Sequence, residues 1–328
     1  MYFVEPSVEV INEPDLFKRI ELAGRTCYKS HDKITDDSAY PFYQRMVKSG
    51  HLSVIEHSNI IVRTRTPEAT TNILACISDY TRHTGKPCYI RYSNLGERDH
   101  FVENYGYCWG DEYVFSGNIR AWRDLITMFW GEDLFVKLFS KHPAFKDIWE
   151  NSNDISSVFD DEYDPFFDAT IIESVDGYDN VFETDIEDFH KIITVKVIAD
   201  RGLIDEFRTH RQHSFSVEST RYCNYKDGDC TYCFPFWYDK IKEDPKYESI
   251  ASVLGNACYD SEQHYNEIMN KVGVPQVARG ALNLWVKSEA VITATVASWK
   301  NFLDLRSSAA AHPESQKICK MIKEATGL

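Results

Sequence analysis

Apolar residues recur at two spacings along the chain, and the two spacings predict different elements. Helical spacing runs through residues 13–29 and 36–49, and the second segment stops at Gly50, a residue that commonly ends helices. Short runs rich in β-branched residues at 58–65 and 191–199 predict strands. Helical patterns also cover four segments nearer the C-terminus: 244–271, 275–288, 296–306 and 313–328.

A dense polar segment follows the second predicted strand. Asp200 is placed to open a helix that carries Leu203, Phe207 and this polar segment, whose sequence over residues 209–222 is THRQHSFSVESTRY. Cations, imidazoles and hydroxyls come together here in a short span of chain. Guanidinium forks and hydroxyls match the oxygens of a phosphate, so the segment indicates a site for a phosphorylated or anionic ligand.

Length and charge narrow the class of protein. The chain has 328 residues, enough for one large domain or two, and its formal net charge is −15. This charge argues against nucleic acid or an anionic membrane as the main partner. No apolar run reaches the roughly 18 residues that span a bilayer, and the first ten residues lack a signal-peptide pattern. We therefore expect a soluble, cytoplasmic protein.

The cysteines indicate thiols rather than a disulfide framework. Nine cysteines form an odd set in a chain without a signal peptide. Cys223, Cys230 and Cys233 have the spacing C-x6-C-x2-C, which raises the alternative of a zinc site. A structural zinc site usually has four ligands in two paired spacings, and only one CxxC pair is present. The pattern favours plain thiols in a loop, and we expect no metal.

The middle of the chain has an unusual composition. Residues 151–190 contain no lysine or arginine, and their aspartates and glutamates are mixed with aromatic residues. A folded acidic insertion and a flexible one both fit this composition. One short internal similarity occurs elsewhere in the chain: residues 116–122 (SGNIRAW) resemble residues 293–299 (TATVASW) in spacing. A single short similarity is weak evidence for duplication.

The polar segment resembles the signature of the flavin-dependent thymidylate synthases, which is Arg-His-Arg, seven residues, serine, any residue, and Arg-Tyr. Thr209 stands where the family has its first arginine. Three other segments resemble elements of the same family in the same order, namely GHLSVIEH at 50–57, Ala278-Arg279 with Leu282, and NFLDLR at 301–306. The tail at 310–313 is similar to the ending of phage-like members. Four ordered elements make the resemblance specific.

The resemblance implies a fold and a domain arrangement. The expected class is α/β (α+β), with a central sheet flanked by helices and an inserted acidic region. Residues 1–66 and 188–328 would form the family domain, and residues 67–187 would be an insertion of unknown role. Family members are homotetramers with active sites at subunit interfaces, so the same assembly is expected here.

The resemblance also implies a reaction, the reductive methylation of dUMP to dTMP. Methylenetetrahydrofolate would supply the carbon, FAD would carry the hydride, and NADPH would reduce the flavin. Arg306 is the candidate catalytic residue, because an arginine facing the pyrimidine can stabilise negative charge that develops on the ring.

Other family positions map onto residues that would bind the two ligands. The expected dUMP-binding residues are Glu206, Thr209, Glu218, Ser219, Arg221, Arg279 and Arg306. The expected FAD-binding residues are Ser53, His210, Arg211, Asn301 and His312. Each has an ordinary alternative: the arginines as surface ion pairs, His210 as a core histidine, and Glu56 with His57 as residues that orient the neighbouring strand.

Some positions depart from the family pattern. Glu206 replaces a common glutamine, and Thr295 and Ala297 occupy the positions of an Asn-x-Arg pair that contacts the adenylate of the flavin. Asn118 and Arg120, in the predicted insertion, have that same spacing and are tentative FAD-binding residues. Alternatively, Arg120 belongs to the surface of an amphipathic helix. The departures at Thr209, Thr295 and Ala297 support a second hypothesis, a nucleotide-binding paralogue with a regulatory or structural role.

Overall fold

The structure is a computed structural model that describes residues 1–102, 106–150, 169–172, 188–226 and 230–328. Its contacts divide the chain into two compact units. The first unit comprises residues 1–13, 17–45 and 192–328, and the second comprises residues 14–16 and 46–191.

The described elements are numbered in chain order. The strands are β1 (Tyr2–Val4), β2 (Ser7–Val10), β3 (Asn59–Thr64), β4 (Arg91–Val102), β5 (Gly106–Asn118), β6 (Ala169–Ile172), β7 (Ile192–Asp200), β8 (Ser214–Val217), β9 (Thr231–Cys233) and β10 (Lys287–Thr295). The helices are α1 (Leu16–Tyr28), α2 (Ala39–Lys48), α3 (Pro67–Thr84), α4 (Ile119–Met128), α5 (Asp133–Phe139), α6 (Arg201–Phe207), α7 (Pro245–Val272), α8 (Pro275–Ala278), α9 (Val296–Arg306) and α10 (Pro313–Thr326).

The first unit is built on a four-stranded antiparallel sheet in the order β2-β7-β10-β8. Alternate residues of its strands, such as Val197 and Ile292, point into a core that also contains Trp299, Phe302 and Ile318. Because successive side chains of a strand face opposite sides, this pattern fixes helices α6, α9 and α10 on one face of the sheet. A separate two-stranded parallel sheet joins β1 to β9.

The second unit is built on another four-stranded antiparallel sheet, in the order β4-β5-β3-β6. Its central strand β3 holds Ile60, Ile61 and Val62, all fully buried. Trp122 of α4 packs at 5.2 Å, centroid to centroid, from Phe139 of α5. The second unit therefore has a core of its own.

The two units repeat one arrangement, which we call the shared frame. In the second unit the chain runs β3, α3, β4, β5, α4, and in the first it runs β7, α6, β8, β10, α9, with β9, α7 and α8 added before β10. In both sheets the third of these strands pairs between the first and the second. Order along the chain and order in the sheet thus agree between the two units.

The shared frame also agrees at the level of single hydrogen bonds. Trp122 donates its indole N–H to the carbonyl of Ile60 at 3.0 Å, and Trp299 donates to the carbonyl of Ile193 at 3.0 Å. Each tryptophan lies four residues after the residue that caps its helix. The caps are Asn118 for α4 and Thr295 for α9, and their side-chain oxygens accept from the backbone N–H three residues on.

The short sequence similarity between residues 116–122 and 293–299 therefore lies at equivalent positions of the shared frame in the two units. Asn118 pairs with Asn59 across its sheet, and Thr295 pairs with Ile192 across the other. It follows that Asn118 and Arg120 occupy the frame positions of Thr295 and Ala297. The spacing that the sequence analysis noted is thus matched by register in the sheet.

The mixed α/β class is confirmed, but the helices surround several sheets and not one central sheet. The predicted helix at 275–288 is wrong: α8 ends at Ala278, a 3-10 turn follows at Arg279–Ala281, and β10 begins at Lys287. Gly280 weakens the helical pattern there, and the run AVITAT in β10 is rich in β-branched residues that favour strands.

The domain boundaries stay a prediction. The contacts group residues 46–66 with the second unit, whereas the sequence analysis assigned 1–66 and 188–328 to one family domain. Most of the acidic stretch at 151–190 lies outside the described residues, so the alternatives for it stay open. Across the part of the chain that the structure describes, no helix is both long and apolar enough to cross a bilayer.

The shared frame makes a prediction about stability. Trp122 and Trp299 are fully buried, so replacing either by phenylalanine removes a buried hydrogen bond and leaves a gap beside the strand. We expect Trp122→Phe and Trp299→Phe each to lower the free energy of unfolding by about 1–3 kcal/mol. Urea denaturation would measure this change. Trp130→Phe is the matched control, since Trp130 is 45% exposed; equal losses in all three variants would contradict the assignment.

Candidate functional site

The polar signature lies beyond α6 and not on it. Asp200 caps α6 by accepting from the N–H of Leu203 at 2.9 Å, and the helix ends at Phe207. Thr209 and His210 form the turn that follows, and β8 begins at Ser214. The predicted helix is thus confirmed, but its extension through the signature is wrong.

Arg306 lies against this turn. Its Nε donates to Nε2 of His210 at 2.8 Å. Its Nη2 donates to the carbonyl of Glu206 and to the hydroxyl of Thr209, both at 3.0 Å. Its Nη1 is 3.4 Å from the Glu206 carboxylate. Four residues predicted for the site, which we call the Arg306 cluster, therefore contact one another: Glu206, Thr209, His210 and Arg306.

Thr209 has a definite part in this cluster. Its hydroxyl donates to the carbonyl of Glu206 at 2.8 Å and accepts from Arg306. An arginine at this position has no acceptor and would bring a second positive charge to the same place. The departure from the family signature is therefore coupled to the way in which Arg306 is held.

The bond to Arg306 also fixes the state of His210. Because Nε2 of His210 accepts a hydrogen bond, the imidazole is neutral and its proton is on Nδ1. Burial lowers the pKa of His210, and the charge of Arg306 lowers it further. His210 can thus donate from Nδ1 to a ligand while Arg306 remains charged.

His213 is a buried histidine that the sequence analysis did not select. It packs edge-on against Trp299 at 4.9 Å and lies 5.8 Å from the ring of His210. Neither ring nitrogen has a hydrogen-bond partner among the described residues. Burial, followed by the effect of His210, lowers the pKa of His213 to about 3. No periodicity pointed to this residue, because it lies in a turn.

Glu218, a residue of the signature, belongs to a network of charged side chains in the first unit. Its carboxylate accepts from the hydroxyl of Tyr225, and it is 3.0 Å from Nζ of Lys29 and 3.3 Å from Nζ of Lys287. Glu289 also contacts Lys287 and donates its backbone N–H to Glu218. Glu218 is 1% exposed, so this predicted dUMP-binding residue is engaged inside the first unit.

The network sets the charge of its members. Burial would raise the pKa of Glu289, but its bonds to Lys287 and Lys196 outweigh burial and hold that pKa at about 2. Burial would lower the pKa of Lys287, but Glu218 and Glu289 raise it above its ordinary value. Burial and the neighbouring Glu218 raise the pKa of Tyr225. The lysine and the glutamate are therefore charged, and the tyrosine is neutral.

Three of the predicted arginines are exposed and unpaired. Within the described ranges, the guanidinium groups of Arg211, Arg221 and Arg279 form no hydrogen bond or ion pair, although that of Arg221 lies 5.4 Å from the centroid of the Tyr222 ring. In a chain of net charge −15 with many available carboxylates, unpaired arginines are notable. They are available to an anionic ligand.

The remaining predicted residues of the first unit lie near its surface. Ser219 accepts at its hydroxyl from the N–H of Arg221 at 3.3 Å. Asn301 is exposed on α9. His312 caps α10, where its Nδ1 accepts from the N–H of Glu314 at 3.2 Å, which leaves a proton for its Nε2. The structure does not bring these three into contact with the Arg306 cluster.

The other predicted flavin residues belong to the second unit. Ser53 is exposed at the start of a 3-10 turn, Val54–His57. Arg120 pairs with Glu56 at 2.7 Å and so joins α4 to this GHLSVIEH segment. Asn118 uses its side-chain oxygen to cap α4. The contact of Glu56 with Arg120 also gives Glu56 a local structural role.

The three cysteines after the signature are buried thiols. Burial raises the pKa of Cys223 and of Cys230 to about 11, and it raises the pKa of Cys233 as well. Protonated thiols are poor metal ligands. A group of three or more potential metal ligands does not occur among the residues with described positions.

A family model matches the C-terminal segment of the chain. Residues 180–327 match the family model Thy1, thymidylate synthase complementing protein. The match contains the signature, Arg279, the Arg306 cluster and His312. The family relationship predicted from the sequence is confirmed over this segment. A search of the curated proteins finds no match.

Solved structures with detectable similarity include a UMP/dUMP methylase and a thymidylate synthase. The UMP/dUMP methylase PolB from Streptomyces cacaoi, bound with 5-Br dUMP, is 19% identical, and the match covers 43% of this chain and 68% of that chain with a TM-score of 0.36. Thymidylate synthase X from Helicobacter pylori, with FAD and dUMP, is 21% identical over 44% of this chain and 72% of that chain, with a TM-score of 0.34.

The buried His213 predicts how stability depends on pH. Because its pKa is about 3 in the folded chain and near 6.5 when unfolded, the unfolded state binds a proton first as pH falls. Stability should decrease below about pH 6.5, with a slope from this group approaching about 1.4 kcal/mol per pH unit. His213→Phe should flatten that slope in urea titrations between about pH 7 and about pH 5. The exposed His264→Phe is the control; an unchanged slope in His213→Phe would contradict the prediction.

Proposed function

We propose that this chain, whose residues 180–327 match the thymidylate synthase complementing protein family, methylates dUMP to dTMP with a bound flavin. The observation that carries the proposal is the Arg306 cluster, in which a family arginine lies against the turn of the family signature. Methylenetetrahydrofolate as carbon donor and NADPH as reductant follow from the same proposal.

In this proposal Arg306 contacts the pyrimidine ring. A guanidinium held by three protein groups is fixed in orientation before the substrate arrives, which favours stabilisation of charge that develops on the ring. His210 and Thr209 orient it, and the side chain is still 23% exposed. Glu206, 46% exposed in its side chain, competes with an anionic ligand for Arg306. Binding of the ring would therefore exchange one contact of Arg306 for another.

The nucleotide phosphate is assigned to the unpaired arginines. Arg221 and Arg279, with the hydroxyl of Ser219, offer forked donors and no competing carboxylate. Glu218 is assigned an indirect part, because its carboxylate is buried in the charged network. It would hold the start of the Ser219–Tyr222 loop and not touch the nucleotide through its side chain.

The donors of the first unit fit a flavin. His210 has a proton on Nδ1, His312 has one on Nε2, and Arg211 and Asn301 have exposed donors. Carbonyl oxygens and the two phosphates of FAD are acceptors that such donors match. When bound, FAD would supply the hydride, and these residues would hold it. Contact of Ser53, Asn118 and Arg120 with the flavin is a further part of the proposal.

The alternative, a nucleotide-binding paralogue without the reaction, is favoured by one observation. Four hydrogen bonds already occupy most of the donors of Arg306 within the chain. The visible spectrum of the purified protein separates the two, since the enzyme should carry flavin absorbance that bleaches with NADPH. The homotetramer with active sites at subunit interfaces stays a prediction, to be measured by light scattering.

Arg306 gives the most direct mutational test. Arg306→Ala should lower dTMP formation by at least about a hundredfold, about 3 kcal/mol of transition-state stabilisation, because the ring loses its charge partner. The assay measures dTMP from dUMP, methylenetetrahydrofolate and NADPH. The matched control is Arg208→Ala, which removes an exposed arginine paired with Asp205. Product formation by Arg306→Ala within a few-fold of wild type would exclude the role.

The shared frame supplies variants that test Asn118 and Arg120. Asn118→Thr and Arg120→Ala install the residues that the first unit has at the same positions, and threonine keeps an oxygen to cap α4. If these side chains hold the adenylate, each variant should lose about tenfold in FAD affinity, about 1.4 kcal/mol, in a fluorescence titration. The control Arg82→Ala removes an exposed arginine of the same unit. Unchanged FAD affinity in both variants would contradict the proposal that Asn118 and Arg120 contact the adenylate.

A further inference from the structure

Lys29 adopts a backbone conformation that lysine disfavours. It follows the last residue of α1 with φ 47°, and it is the one non-glycine residue with positive φ in the described ranges; the others are Gly50, Gly85, Gly273 and Gly327. Its N–H bonds to the carbonyl of Thr26, and the N–H of Ser30 bonds to that of Arg25. This pair of bonds is the helix ending in which glycine is the usual residue. A lysine there requires a reason beyond ending the helix.

Glu218 alone does not provide the reason. The ammonium of Lys29 is 3.0 Å from its carboxylate and 4.5 Å from the centroid of the Tyr225 ring. Glu218 nevertheless has donors from Tyr225, Lys287 and the N–H of Glu289. The side chain of Lys29 is 34% exposed, whereas that of Glu218 is 1% exposed. The side chain of Lys29 is thus partly exposed at the edge of a network that already satisfies the carboxylate.

The end of α1 lies along the loop that is assigned to the phosphate. The N–H of Ser219 bonds to the carbonyl of Cys27 at 3.0 Å, and the rings of Tyr28 and Tyr222 are 5.2 Å apart. Arg221, between these contacts, has no carboxylate partner within the described residues. Lys29 therefore continues a segment that contacts this loop at two successive residues.

Two cationic side chains belong to the segments that meet here. Lys29 lies at the end of α1, and Arg221 lies in the Ser219–Tyr222 loop without a carboxylate partner among the described residues. Two cations and a serine hydroxyl suit a phosphate monoester, which carries about one to two negative charges near neutral pH.

We propose that Lys29 binds the phosphate of the nucleotide together with Ser219 and Arg221. This inference rests on the proposed function and adds to it a residue from α1, outside the signature. The ammonium of Lys29 is positioned by Glu218 at 3.0 Å, and the side chain remains 34% exposed and so can meet a ligand. The occupant is a nucleoside monophosphate.

The test compares dUMP with deoxyuridine, which has the same ring and sugar and no phosphate. Isothermal titration of the full chain with both ligands should show that Lys29→Met loses at least tenfold in dUMP affinity and less than twofold in deoxyuridine affinity. Lys29→Gly should behave in the same way. Because glycine favours the left-handed conformation, this second variant keeps the helix ending intact. The matched control is Lys33→Met, an exposed lysine four residues away, which should bind both ligands as wild type.

Two results would overturn the proposal. If both Lys29 variants bind dUMP as tightly as the wild type, Lys29 does not contact the phosphate. If both variants lose equal affinity for dUMP and for deoxyuridine, Lys29 acts only by stabilising the fold through Glu218. If the wild type binds no dUMP, the proposed function fails separately. In that case, titration with inorganic phosphate tests Lys29. Phosphate binding that is at least tenfold weaker in Lys29→Gly than in the wild type supports the anion site. Phosphate binding that is absent in the wild type, or unchanged in the variant, overturns it.

Discussion

The antiparallel pairing of β7 with β10 is the constraint on which the first unit depends. Its register joins Lys287 to Asp200 at one end and Thr295 to Ile192 at the other. Asp200 and Thr295 are also the caps of α6 and α9, so the ladder determines where both helices begin. The two helices meet through Phe207 and Phe302, whose ring centroids are 4.9 Å apart. A one-residue slip of either strand would reverse its faces and separate Arg306 from the signature turn.

The same ladder separates two chemical environments. One face of the sheet contributes alternate apolar residues to the core, while the other carries Lys196, Lys287, Glu289 and their partner Glu218. Charges can be buried there because each is paired with an opposite charge or receives hydrogen bonds. The Arg306 cluster lies instead where two helix ends meet, and its side chains keep partial exposure. Buried charge pairs and partly exposed polar side chains thus lie in different parts of one unit.

Much of the fold could be predicted from local pattern, and the failures have physical causes. Helices α1, α7, α9 and α10 agree with the spacing of apolar residues because each has one buried face. β10 was missed because its burial on both faces gives no alternation. The contact of Arg306 with Thr209 joins residues 97 positions apart, and no local pattern carries that information. Lys29 was not selected for the same reason: its contact with Glu218 joins residues that are far apart in sequence.

The signature illustrates what resemblance can and cannot give. It selected Glu206, Thr209, His210 and Arg306, which do contact one another, although their assignment to ligands remains a proposal. Thr209 stands where the family has an arginine, and its hydroxyl accepts a hydrogen bond from Arg306 that no arginine could accept. Glu218 matches the family pattern too, yet its carboxylate is enclosed by lysines and a tyrosine. A motif therefore names positions, and the hydrogen-bond partners decide what each position does.

Two copies of one frame in a single polypeptide can change independently. In a symmetric assembly of identical chains, every substitution appears at all equivalent positions at once. Here the position of Thr295 in one copy is Asn118 in the other, and that of Ala297 is Arg120, while both copies keep the tryptophan and its bond to the strand. Both copies thus keep the same hydrogen bond from tryptophan to the strand, whereas the residues in the first turn of the helix differ between them. Because both frames lie in one polypeptide, their equivalent positions can hold different residues, whereas identical single-frame chains in a symmetric assembly would hold the same residue at each.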